Sequence, residues 1–390
     1  MKTIAAAAFG AALLTPGVVL AQDAGKLEVH FCPATEVRTY PLETAHNIQG
    51  LMLDNVLVVN HGAASVDLTE IDLALLQKGE VTDERRIAGE PLTKAGKTGP
   101  KVQASGVMDL IPGQFCDGAL IPKGTQLAGP TLAPGQAMLL IYQTFAYSGV
   151  RDSLRVSVHG KAGPQDVAAE ASLPIAQGSS KTAFRFPLHG VWFAAVGPTM
   201  HTGHRWVIPE QFAFDIARVG EGDLSYRGDG TKFSDYYAYG AEVVAAADGK
   251  VIAAVDGIAE DTVILRRPSE SDDAYDQRQQ GYQTQLLQHG PEAAAGDYVM
   301  VDHGNGEFSL YAHLQPGSLK VKPGDVVKAG QTLGKLGASG NASEPHLHFQ
   351  VCDSPKPVSC TGIPINFTGL RLPYADYPRP PQSGDIVIAD

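Results

Sequence analysis

Two histidines two residues apart, His346 and His348, follow the glycine-bounded turn Gly337-Ala338-Ser339-Gly340-Asn341 and lead into Phe349-Gln350-Val351. Residues two apart on a strand point to the same face. Two imidazoles on one face beside a turn can form a metal site, or one ligand plus one proton carrier. A third histidine stands upstream in Tyr311-Ala312-His313-Leu314, and a His/carboxylate pair, His204 and Asp215, precedes that. Two His and one carboxylate with an open coordination position is a catalytic zinc set that activates water for hydrolysis.

Such a set needs a rigid frame, and the composition points to strands. The chain has 43 Gly, 26 Pro and only 18% charged residues, a turn-rich balance that predicts a mostly β protein. At 390 residues two domains are expected. Short strand patterns at 56–60, 66–76, 137–142 and 154–159, without helical periodicity, predict an N-terminal β-sandwich-like domain over 22–172. A linker at 173–183 centres on Gln177-Gly178-Ser179-Ser180. The second domain is expected over 184–372, interrupted by a polar insertion at 261–296 that is part helical or a functional loop. Residues 373–390, rich in proline, are expected to form an extended tail. Eight of the twelve histidines lie between His189 and His348, which places the chemistry in the second domain.

His30, His46, His61 and His159 fall in the N-terminal domain in no cluster and read as ordinary surface or core histidines. His303, in Asp302-His303-Gly304-Asn305-Gly306, carries a tight-turn signature and reads as a turn residue rather than a ligand. His189 and His289 are read as structural too. Tyr236, Tyr237 and Tyr239 either line the groove or pack at a strand start.

Met1-Lys2 followed by an apolar run to Leu20-Ala21 predicts a secretory signal over 1–21, cleaved after Ala21. Pro16-Gly17 breaks the run and argues against a membrane anchor, and no later segment is apolar enough to span a bilayer. An exported chain can hold disulfides, and Cys32–Cys116 with Cys352–Cys360 is the simplest pairing, one per domain. No Cys-x-x-Cys occurs, which argues against a four-cysteine zinc site. The net charge of −12 opposes nucleic-acid binding.

Taken in order, Phe214-Asp215, Val243-Val244-Ala245-Ala246-Ala247-Asp248-Gly249, Tyr298-Val299-Met300-Val301-Asp302-His303-Gly304, Tyr311-Ala312-His313-Leu314, Val321-Lys322-Pro323-Gly324-Asp325 and Gly337 through His348 resemble the M23 metallopeptidases, the LytM/lysostaphin-type cell-wall endopeptidases. The resemblance covers about 203–351, and it is the ordered set of blocks that makes it specific. It implies a β-rich groove of antiparallel sheets and a Zn2+ ion held by His204, Asp215 and His348. It also implies that His313 and His346 are catalytic histidines that do not bind the metal, one a base and the other stabilising the intermediate or protonating the leaving amine. Which does which stays open. The family's first His commonly sits closer to its Asp, whereas His204 stands eleven residues ahead of Asp215. A loop of the type Arg205-Trp206-Val207-Ile208-Pro209-Glu210-Gln211 must be inserted there, and His201 is a rival ligand. The block 321–331 also resembles the hairpin of biotinyl and lipoyl carrier domains. Those need an exposed modifiable Lys turn, which is not evident here.

The expected function is therefore an exported zinc endopeptidase, periplasmic or secreted, acting on peptidoglycan stem or cross-bridge peptides. The N-terminal domain would position it or bind a partner protein. Two rivals are a non-catalytic M23-like module that binds wall or activates other hydrolases, and a secreted peptidase that cuts proteins.

Overall fold

The computed structural model describes residues 27–199, 203–365, 367–377 and 379–390. The expected leader over 1–21 and the rival ligand His201 lie outside the described residues. The protein is mostly β, as its composition predicts. Among the described residues no helix is long and apolar enough to cross a membrane.

In the N-terminal half, Leu27–Cys32, Val37–Glu43, Ile48–Asn60, Gln126–Leu127 and Gln136–Ser148 form one layer. Val66–Gln77, Glu80–Ala88, Thr131–Leu132, Ser153–Ala162 and Gln165–Ala176 form the other. A two-residue parallel pairing of Ile175 and Ala176 with Val37 and Arg38 joins them at one edge. Both layers bury their apolar faces in a single cluster that includes Leu53, Val56, Ile71, Leu73, Met138 and Val156. The period-two pattern of 66–76 changes phase, with Val66 and Leu68 followed by Ile71, Leu73 and Leu75. A register shift between Leu68 and Glu70 absorbs that change, so all five reach the core.

Short helices at Gly89–Gly96, Thr98–Ser105 and Val107–Leu110 depart from the all-strand expectation. Each is too short to show a helical period in a Gly- and Pro-containing stretch. They lead into a 3-10 segment, Pro112–Gly118, pinned to the first strand by the disulfide Cys32–Cys116. The second expected disulfide, Cys352–Cys360, is also present.

The C-terminal half is built on a nine-stranded sheet. Its order is Val326–Val327, Gly249–Val255, Asp297–Asp302, Phe308–Leu314, Leu347–Cys352, Phe214–Ala217, Gly190–Val196, Ile386–Ala389, Leu370–Arg371. One face packs against the two-stranded antiparallel sheet formed by Glu242–Val244 and Thr332–Lys335, with Trp192, Phe214, Val243, Leu333 and Phe349 in the shared core. The opposite face carries the site. Two expectations shift. The strand Gln165–Ala176 runs into the stretch expected as linker. The tail is not free, because Ile386–Ala389 pairs with Gly190–Val196 and Arg379 is ion-paired with Asp385. Alternation of Val387 and Ala389 into the core accounts for the strand; the prolines before it hid the pattern.

The insertion 261–296 contains a helix, Asp272–Leu287, started by a Ser271 cap on Ala274 N. Its polar sequence has no apolar stripe, and it is held by hydrogen bonds instead. The Tyr275 hydroxyl donates to the carbonyls of Ser343 and Ile264, and the Gln279 amide donates to the same two carbonyls.

Candidate metal centre

Sheet register assembles most of the site. Asp215 and His348 are directly opposite in the antiparallel pair Phe214–Ala217 with Leu347–Cys352. Phe214, Ile216, Leu347, Phe349 and Val351 all point into the core, so Asp215, His348 and Gln350 point the other way. His346, just ahead of its strand, joins that face. On the far side of Leu347–Cys352, Ala312 pairs with His348.

His313 arrives by a different device. Simple alternation from the core residue Tyr311 would send it into the core too. The register between Asp297–Asp302 and Phe308–Leu314 shifts between Asp297 and Val299, leaving an extra residue in the second strand. His313 takes φ +63°, a left-handed conformation that is rare for a non-glycine residue. The bulge turns its ring into the pocket and returns Leu314 to the core. Its Nδ1–H donates to the Ser339 carbonyl at 2.8 Å, which leaves Nε2 as the free lone pair.

His204 lies in the 3-10 turn Gly203–Trp206, not on a strand. Its Nε2 stands 3.2 Å from Asp215 Oδ2 and 3.9 Å from Glu210 Oε2. His204, Asp215 and His348 each offer a ligand atom, all within 4.8 Å of one another. They line a pocket of about 190 Å3 together with His313, His346, Gln350 and the loop residues Pro357 and Val358. Ala294 and Ala295, from the insertion, supply part of its wall.

The hydrogen bonds fix which nitrogen atoms face inward. The Gln350 amide donates through Nε2 to the Pro357 carbonyl at 2.9 Å, so its Oε1 is the atom that accepts from His348 Nε2–H at 2.8 Å. His348 Nδ1 then faces Asp215 Oδ1 at 3.0 Å. His346 donates from Nδ1 to the Glu344 carbonyl at 2.7 Å, and its Nε2 faces the same Oδ1 at 3.3 Å. In neutral rings these inward nitrogens carry lone pairs, and lone pairs set against a half-buried carboxylate repel it unless a cation lies between them. That cation is either a proton or a metal ion. His204 Nδ1 is buried with no hydrogen-bond partner among the described residues. The donor set of two imidazoles and one carboxylate fits a divalent metal of the zinc type.

The electrostatics agree. Burial pushes the Asp215 carboxyl up, but the charges of His204 and His346 beside it outweigh this and hold it well below the usual carboxylate range. Burial pulls His204, His346 and His348 down, and Asp215 overcomes this to raise all three. His313 behaves differently. Burial and the neighbouring His346 and His348 hold it well below the ordinary imidazole range, so the ring is neutral in the pocket.

The remaining histidines stay out of the pocket. His303 bonds the Asp248 carbonyl and the Ser309 hydroxyl, as a turn residue would. His189 and His289 are exposed. Tyr239 donates to Glu260 at 2.7 Å instead of lining the pocket. His30 and His61 do come together, flanking Glu28 at 3.4 and 2.9 Å, because Leu27–Cys32 pairs with the end of Ile48–Asn60. His159 similarly lies near Glu70 and Asp72. Sequence spacing gave no sign of either cluster, and both are partly exposed ion-pair groups. The sequence reading also missed Gln350, Ser339 and Glu210. Gln350 could have been found, since it continues the His346, His348 alternation.

Residues 281–360 match the family model described as Peptidase family M23, so this part of the chain carries an M23 peptidase segment. Peptidoglycan DD-endopeptidase ShyC of Vibrio cholerae is 46% identical over 80 residues, which are 20% of this chain and 16% of that protein. Murein hydrolase activator EnvC of Escherichia coli is 41% identical over 56 residues, 14% of this chain and 13% of that protein. The chain thus spans less than a fifth of the length of these curated relatives. A crystal structure of a zinc containing peptidase from Vibrio cholerae covers 83% of this chain and 82% of its own, at 13% identity and a TM-score of 0.25. So distant a likeness carries no weight for the site.

Proposed function

We propose that the chain is an exported zinc endopeptidase that hydrolyses peptide bonds in peptidoglycan stems or cross-bridges. The observation that carries this reading is the convergence of His204, His346 and His348 nitrogens on the half-buried Asp215, with His313 in the same pocket. The match to peptidase family M23 and the likeness to a peptidoglycan DD-endopeptidase support the substrate class. The apolar run over 1–21 and the two disulfides support export.

His204, Asp215 and His348 would hold the ion, His348 through Nδ1 because Gln350 engages its Nε2. Bound there, zinc would supply Lewis-acid chemistry, polarising the scissile carbonyl and acidifying a water. His313 turns its Nε2 into the pocket, since its Nδ1–H is held by the Ser339 carbonyl, and would hold one proton position. His346 Nε2 reaches the same pocket, the two ring centroids 4.8 Å apart, and would hold the second proton position. Ala294 and Ala295 from the insertion and Pro357 and Val358 from the Cys352–Cys360 loop form part of the pocket wall, and the insertion helix holds the wall residue Ser343 through Tyr275.

A second reading has one observation in its favour. A murein hydrolase activator is 41% identical to this chain over 56 residues, so this chain could act by stimulating another hydrolase. The test is a digest of purified peptidoglycan beside a protein substrate, with mass analysis of fragments. The proposal expects new peptide termini from peptidoglycan only, abolished by a chelator and restored by zinc. No fragments from the zinc-loaded chain, together with stimulation of a separate wall hydrolase, would establish the activator instead.

A further inference from the structure

The sheet holds Asp215 and His348, but His204 sits in a short turn outside it. Something else must set its distance to the other two ligands. The loop that follows His204 is packed against the N-terminal domain. Ile208 lies in a cluster with Cys32, Leu57, Phe115 and Leu139, all N-terminal. Trp206 meets Tyr142 edge to face with ring centroids 4.8 Å apart. Gln211 donates to Asp54 at 3.2 Å. At the centre, Gln114 Oε1 accepts from Ile208 N at 2.8 Å, and Val207 N donates to the His204 carbonyl at 2.9 Å.

Gln114 is itself rigidly placed. It is 2% exposed, and its backbone carbonyl accepts from Asn55 at 2.7 Å. Two residues on, Cys116 is bonded to Cys32. The neighbouring Gly113 packs so tightly on the Val358 carbonyl that a Cβ there would collide with it. Val358 lines the pocket beside Pro357, whose carbonyl orients Gln350 and through it His348. Residues 113 and 114 therefore bear on both histidine ligands, each through a short run of named contacts.

We propose that Gln114, carried by the N-terminal domain, is a positioning residue for the metal, and that this domain clamps the His204 loop so that the ligand set closes. The inference rests on the zinc reading above and adds that the N-terminal domain is part of the metal site's support. A shift of about 1 Å in a ligand's frame is enough to spoil a site, and losing a group that orients a ligand typically weakens metal binding about 10–100-fold.

The test uses the full chain stripped of metal. Zinc affinity is read by competition with a chromophoric chelator, and ligand geometry by the visible absorption of the cobalt-loaded protein. Gln114→Met removes the acceptor at nearly constant size; Gln114→Glu keeps it. The expected result is zinc binding weaker by about 10–100-fold and altered cobalt bands in Gln114→Met. Affinity should return to within a few fold of wild type in Gln114→Glu, and the metal-free unfolding transition should stay single and cooperative in both. If Gln114→Met does not fold, Tyr142→Leu loosens the same seam at Trp206 and should weaken zinc binding in the same direction. A folded Gln114→Met, or failing that a folded Tyr142→Leu, with wild-type affinity and bands overturns the inference. In that case loss of zinc in His204→Ala shows that the zinc reading still stands. A wild-type chain that takes up no zinc overturns the reading beneath it.

Discussion

His348 and Asp215 face each other across adjacent antiparallel strands, Nδ1 to Oδ1 at 3.0 Å, while Gln350 holds the other imidazole nitrogen. The tautomer of this proposed ligand is thus set from behind by an amide that is anchored on the Pro357 carbonyl. Gln350→Met removes the acceptor without changing volume much. Zinc affinity should fall about 10–100-fold, as is typical when an outer partner of a ligand is lost. Chelator competition measures it, and an unchanged affinity would show that Gln350 does not orient the ring.

The proposed function gives His313 and His346 proton-carrying roles and no bond to the metal. His313→Ala and His346→Ala should each retain zinc and lose turnover on peptidoglycan by about 10²–10⁴-fold, the usual cost of removing a general acid or base. Metal analysis beside a turnover assay distinguishes the outcomes. If His346→Ala loses zinc instead, the two members of the His346, His348 pair have their roles reversed.

His204 stands 3.2 Å from Asp215, whereas His201 lies outside the described residues. His204→Ala should abolish zinc binding and His201→Ala should leave it intact. The opposite pattern, read by metal content after dialysis, moves the first ligand to His201.

The seam between the two halves should titrate. Burial pushes the Asp54 carboxyl up to about 7, against the nearby Arg205 charge and the Gln211 hydrogen bond, which lower it. An acid whose pKa is raised on folding keeps its proton in the folded state when the unfolded chain has lost it. Its contribution to stability is therefore full below about pH 4 and is lost as the pH rises through 7. Between pH 5 and 8 the wild type should lose about 2–3 kcal/mol relative to Asp54→Asn, at about 1.4 kcal/mol per pKa unit. Denaturant unfolding of both at the two pH values measures the difference. Parallel pH profiles would mean that Asp54 is not buried as an uncompensated acid.

Much of the site was legible because period-two alternation needs no tertiary information. His346 and His348 share a face wherever a strand runs through them, and Gln350 lies on the same line. The two disulfides followed from spacing and from the leader-like start. What could not be read depended on partners distant in sequence. The bulge that redirects His313 arises from a register shift against Asp297–Asp302, which no pattern within 308–314 reveals. The strand Ile386–Ala389 was hidden behind prolines and exists because Gly190–Val196 offers it an edge. The His204 loop read only as an insertion ahead of Asp215. Its apolar Trp206 and Ile208 are explained only by the N-terminal surface they cover.

The central claim is that His204, Asp215 and His348 hold one zinc ion. Metal analysis of the purified full chain and of His348→Ala, each incubated with excess zinc and dialysed, tests it most directly. One equivalent in the wild type and none in the variant is the predicted result. Full occupancy in His348→Ala, or no zinc in the wild type, would contradict the account.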